Sequence, residues 1–107
     1  MDPEKLQERL IAKGTEKART MAYASTTDRL RKQVRAGFMV TFIGRGETVG
    51  KSEQMAIIEP EYIEACERAE KAEEEAGVAA VEYQAAISWW ETWRTLQATR
   101  RAEMTLR

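Results

Sequence analysis

From Pro60 to Met104 the chain holds 45 residues with no further proline and a single glycine, Gly77. Alanine, glutamate, glutamine and arginine dominate this stretch, and all of them lose little on entering a helix. One continuous helix is the regular structure open to such a segment, and at about 1.5 Å per residue it spans roughly 67 Å. Tyr62, Ala65, Cys66, Ala69, Ala72, Ala76, Ala79, Ala80, Tyr83, Ala86, Ile87, Trp90 and Trp93 trace one face of it. Most of the first half of that face is alanine, which lets a second helix come closer than a leucine seam would.

The second helix is the N-terminal segment. Asp2 followed by Pro3 is a start signal, an N-cap with proline at the first helical position. Leu6, Leu10, Ile11, Ala18, Met21, Ala22, Leu30 and Val34 then recur mostly at the three-, four- and seven-residue spacings of a helix. This predicts a helix over about residues 3–36, stopped by Gly37. Gly14 inside it either marks a break, giving a short helix over 3–13 and a longer one from 15, or lets another helix approach closely, and a continuous or mildly bent helix is expected. Gly14, Ala18, Ala22 and Ser25 offer small residues to match the alanine face. An antiparallel arrangement aligns Val34 near Tyr62 and brings Leu6 and Leu10 beside the tryptophans.

Between the helices, about residues 37–51 form a connector with two readings. Phe38-Met39-Val40-Thr41-Phe42-Ile43 is either a short strand, turning at Gly44-Arg45-Gly46 to pair with Glu47–Val49, or else an extension of the first helix or an apolar connector. Ser52 is the expected N-cap of a short helix over 52–59, and Pro60 opens the long one to about 104. The fold class is therefore mainly α: one domain over 1–107, a long antiparallel helical hairpin with a short β-like or irregular connector. Two helices cannot enclose a core, and both have apolar positions left over. The hairpin is expected to form a homo-oligomeric, coiled-coil-like helical bundle, most simply a two-fold dimer.

With no histidine in 107 residues, a Ser-His-Asp triad, a Cys-His pair and histidine-ligated metal are excluded, and the expectation is a non-enzymatic protein without a cofactor. Cys66 is the single cysteine, so an intrachain disulfide is impossible, and the residue reads as part of the apolar face. Gly44 to Ser52 ends in Gly-Lys-Ser, as a phosphate-binding loop does, but the glycine spacing is five from Gly44 or three from Gly46 instead of four. A flexible turn is the reading that remains. The longest uncharged run, Ala36 to Gly44, is far short of a membrane span, no secretory leader is recognised at the start, and the expected location is cytoplasmic.

The net charge of -1 conceals a dipolar pattern: residues 29–51 carry +5 and residues 59–75 carry -6. Arg29, Arg31, Lys32, Arg35, Arg45 and Lys51, interleaved with Phe38 and Phe42, are candidates for nucleic-acid contact. The same bases also suit a helix C-terminus, and the phenylalanines also suit a core. Glu67, Glu70 and Glu74 belong to an acidic face that is either a solvated surface or a surface for a partner protein, with Glu70, Glu73 and Glu74 as a weaker metal-ligand set. Leu6, Leu10, Tyr83, Ile87, Trp90 and Trp93 are the candidate subunit contact, and Trp89, about 100° from Trp90 around the helix, is the candidate contact for an external partner.

Lys51-Ser-Glu-Gln-Met-Ala, Pro60-Glu-Tyr62, the Ala/Glu helix and the segment Trp90 to Met104 together resemble small helical proteins encoded by phages and prophages near recombination or single-strand-binding genes. The resemblance covers residues 51–107 and implies a phage accessory protein, located in the cytoplasm of the host bacterium, without implying an activity. Under it the expected function is an accessory role in DNA metabolism through protein or DNA binding. The alternative is inhibition of a host nuclease or defence complex through the acidic helix face.

Overall fold

The computed structural model describes residues 2–106, which form three helices and no strand. Helix α1 is Pro3–Gly44, α2 is Val49–Ile57 and α3 is Pro60–Leu106. At 42 and 47 residues, α1 and α3 make up most of the chain, so the mainly helical hairpin stands. Asp2 caps α1 as expected, its Oδ1 accepting from the Glu4 N–H at 3.0 Å. Pro60 opens α3 at the first helical position, with the Ile63 N–H donating to the Glu59 backbone carbonyl at 3.0 Å.

The β-like reading of Phe38–Ile43 is corrected, since these residues are the last turns of α1. Gly37 does not stop the helix. The stop is Gly46, whose φ of 96° is open to glycine at little steric cost. Its N–H donates to Ile43 O at 3.0 Å while the Glu47 N–H reaches Phe42 O at 3.1 Å, the paired bonds of a Schellman cap. The connector shrinks to Arg45–Thr48. Thr48, not Ser52, caps α2: its hydroxyl accepts from the Lys51 N–H at 3.3 Å, and Ser52 lies fully buried inside the helix.

The chain divides into two compact units. In the unit Thr20–Ala76, the second half of α1 descends, α2 folds back, and the start of α3 returns antiparallel. Phe42 is buried with its ring stacked 6.1 Å from Phe38, and Ser52 and Ala56 bury the inner face of α2. Arg35 pairs with Glu53, tying α1 to α2. Arg31 donates to the Tyr62 hydroxyl at 3.5 Å, which fixes the register of α1 against α3. Along α3, Tyr62, Ala65, Ala69, Ala72 and Ala76 recur at steps of three and four and are buried or half-buried. This is the 3.5-residue period of a coiled-coil seam.

The other unit joins the start of α1, to Arg19, with α3 from Gly77 onward. Ala79, Tyr83, Ala86, Trp90, Trp93 and Gln97 keep the same steps and the same burial. Lys13 and Glu82 form a 2.7 Å ion pair, and Lys17 sits 5.0 Å from the centre of the Tyr83 ring, a cation–π contact. At Gly14 the Tyr83 ring packs against the α1 backbone, because a Cβ there would lie 3.1 Å from Tyr83 Cε2. α1 therefore continues through Gly14, and the glycine serves contact with α3. The Lys13–Glu82 register sets Leu6 level with Trp89 and Trp90, and Leu10 level with Ala86. From about Trp93 onward α3 extends past the first turn of α1.

Gly77, by contrast, has nothing within 4 Å of a built Cβ. Gly77→Ala should stabilise the protein by about 1 kcal/mol through helix propensity alone. Gly14→Leu should destabilise it by about 1–3 kcal/mol by overpacking against Tyr83. Urea unfolding followed by circular dichroism measures both, and equal tolerance of leucine at positions 14 and 77 would contradict the close approach.

Candidate functional site

The basic segment is largely neutralised within its own unit. Arg31 donates to Asp28 Oδ1 at 2.7 Å, Lys32 lies 3.1 Å from Asp28 Oδ2, Arg35 pairs with Glu53, and Lys51 is 3.2 Å from Glu47. Arg29 and Arg45 are the members of the set that make no ion pair among the described residues. The bond from Arg31, then that from Lys32, holds the Asp28 carboxyl below the usual aspartate range. In return Asp28, and after it the Tyr62 hydroxyl, strengthens the hold of Arg31 on its proton. Phe42 belongs to the core and Phe38 is half-buried beside it, so these rings hold the helix end together and do not form an open stacking platform.

The acidic stretch has the opposite character. Glu67, Glu70 and Glu74 are exposed and make no ion pair among the described residues, whereas Glu64 approaches Arg68 at 3.8 Å. A groove of about 490 Å³ between α1 and α3 brings Glu70 and Glu73 together with Asp28, Arg31 and the half-buried Cys66. Three carboxylates face one guanidinium that is already bound to Asp28, so the groove favours a cationic group. No group of three His, Cys, Asp or Glu side chains is placed to hold a metal among the described residues. On the opposite side of this unit, Leu30 and Val34 line a smaller groove of about 280 Å³ with Glu61, Glu64 and Arg68.

In the Gly44–Ser52 stretch no phosphate cradle forms. The Lys51 amide is taken by Thr48, the Lys51 ammonium by Glu47, and the Ser52 hydroxyl faces the interior.

The candidate subunit contact is half-covered by its own chain. Leu6, Leu10, Tyr83, Ile87, Trp90 and Trp93 are all half-buried, and the Trp90 and Trp93 rings stack at 5.4 Å. Trp89 points away from that seam and is half exposed. Ile11, Val78, Val81 and Leu96 in the same unit are also exposed, and sequence periodicity alone had not singled out Val78, Val81 or Leu96. For Val78 and Leu96 the signal is present in the sequence, since they and Trp89 each precede a seam residue by one position, whereas Val81 does not. No helix among the described residues is long and apolar enough to cross a membrane. Comparison with protein-family models, curated proteins and solved structures finds no match to this chain.

The Asp28 pairing has a pH signature. A carboxyl whose pKa is depressed by folding adds stability above its unfolded value, near 3.9, and loses it as pH falls through the folded value. Asp28→Asn should therefore be less stable than the wild type at pH 7 and indistinguishable from it at about pH 2. A deficit that persists unchanged in acid would assign the loss to packing.

Proposed function

We propose that the chain is a non-enzymatic, self-associating helical interaction protein, an accessory factor that serves phage DNA metabolism by holding partner proteins. The observation that carries this reading is the imbalance of its surface. Among the described residues sixteen large apolar side chains are exposed, including Val40, Ile58, Val78, Trp89 and Leu96, while the deeply buried apolar residues are Phe42 and four alanines. A contiguous exposed apolar patch marks an association site, and Val78, Trp89 and Leu96 share one face of α3. The phage connection rests on the resemblance of residues 51–107 alone, and a host-cytoplasmic location would follow from it.

Direct DNA binding is the weaker part of the reading, because four of the six candidate bases already have carboxylate partners. A second reading, an inhibitor of a host nuclease or defence complex, is favoured by the exposed and unpaired Glu67, Glu70 and Glu74. These carboxylates suit the basic surface of a nucleic-acid enzyme.

Light scattering coupled to size exclusion should give a mass at a multiple of the 12.2 kDa chain. A single-chain mass at all concentrations would overturn self-association. For a fluorescent oligonucleotide, contact limited to Arg29 and Arg45 would make log K fall with log salt with a slope of only about -2. A slope near -5 would mean that the internal pairs open and that DNA is a principal ligand.

A further inference from the structure

We infer that α3 carries a second helix-packing seam along Gly77–Leu106, and that its occupant is α3 of a second copy of this chain, antiparallel across a two-fold axis near Trp90 and Glu91. The inference rests on the self-association reading and specifies the surface that performs it.

The intrachain seam of this unit runs through Ala79, Tyr83, Ala86, Trp90, Trp93 and Gln97. One position before each stand Val78, Glu82, Ala85, Trp89, Thr92 and Leu96, apolar or small except for the charged Glu82. This second set has the same three-, four- and seven-residue steps, rotated by about 100°. A helix at the corner of a four-helix bundle needs such a pair of seams, because its two neighbours lie roughly at right angles. α1 occupies the first seam. The second is open: Val78 is 56%, Trp89 51% and Leu96 49% exposed.

The second set is self-complementary when reversed. With the axis between Trp90 and Glu91, Trp89 of one copy meets Thr92 of the other, and Ala85 meets Leu96. Large faces small in every central layer, which is what interdigitation without voids requires. The charges agree. Toward each end, Glu82 of one copy comes beside Arg100 of the other, and by symmetry the pair forms twice. Arg100 has no ion-pair partner in its own chain among the described residues, and the Glu82 carboxylate, bound to Lys13, is still about half exposed.

The end of α3 supports the same occupant. Beyond about Trp93 this helix has no α1 residue level with it, and Met104 and Leu106 are 77% and 89% exposed. A helical segment of this length is marginal in water without packing. In the reversed arrangement the projecting turns lie along residues 77–87 of the other copy, and Met104 comes near Val78.

The test is a crosslink that reads register. In a Cys66→Ser background, Ala85→Cys and Leu96→Cys in one chain are about 16 Å apart along the helix, too far for an internal disulfide. Across the proposed axis they face each other. Mild oxidation should convert the double variant into a covalent dimer, and neither single variant should crosslink. Independently, Arg100→Glu sets like charges together at both ends and should raise the dissociation constant of the dimer about tenfold or more, with helix content unchanged. A chain that remains dimeric without the 85–96 crosslink overturns this seam and leaves self-association standing. A wild-type chain that is monomeric at every concentration overturns both.

Discussion

Ala72, Ala79 and Ala86 stand one heptad apart on α3, and each is almost completely removed from solvent within its own unit. Alanine at these positions sets how near the helices can come and how much burial they gain. Near the same seam Gly14 accepts the Tyr83 ring where a larger residue would push it away. The closeness has an energetic consequence. Each alanine methyl contributes about 0.8 kcal/mol on burial, against about 1.5–3 kcal/mol for a leucine. A seam in which alanine is the commonest residue orders two long helices with a modest hydrophobic return, and apart from the half-buried Tyr62, Tyr83, Trp90 and Trp93 many large apolar residues lie exposed.

The charge pattern reinforces this division between internal and external surfaces. In the unit Thr20–Ala76 the cations of α1 and α2 are consumed locally, by Asp28, Glu47 and Glu53, at distances that leave few of them free. The glutamates in the first half of α3 are mostly unmatched. What reads in the sequence as a basic patch beside an acidic patch becomes, once folded, an acidic surface with scattered cations. Exposed pairs of this kind add little to stability, but they decide which sign of charge a partner meets.

Much of the fold was legible in the sequence. Asp2-Pro3 and Pro60 open helices because proline fits the first turn and its missing N–H costs nothing there. The alanine face was visible from its spacing. Phe38–Ile43 was ambiguous because aromatic and β-branched residues suit a strand mainly through how they pack. Here Phe38 and Phe42, one helical turn apart, stack on the inner side of α1, and that contact outweighs local preference. Gly46 rather than Gly37 ends α1 because the stop requires a positive φ, a property that composition does not reveal. Ser52 has the chemistry of a cap, but Thr48 stands where the chain turns. The candidate surfaces were harder to read. The basic set could be named by type, but its internal partners depend on a fold that brings Glu53 to Arg35. The proposed second seam is not legible from Trp89 alone and emerges only when Val78, Ala85 and Leu96 are read with it.

The claim that α3 is completed by a second chain is tested most directly by hydrogen exchange in residues 94–106 as a function of protein concentration. Far above the dissociation constant of the dimer, the amides of these turns should be protected comparably with those around Ala86. On dilution below it, they should exchange faster by the factor that the dimer population dictates, while the Ala86 region changes less. Exchange in 94–106 that is fast and independent of concentration would contradict pairing of α3 with a second copy.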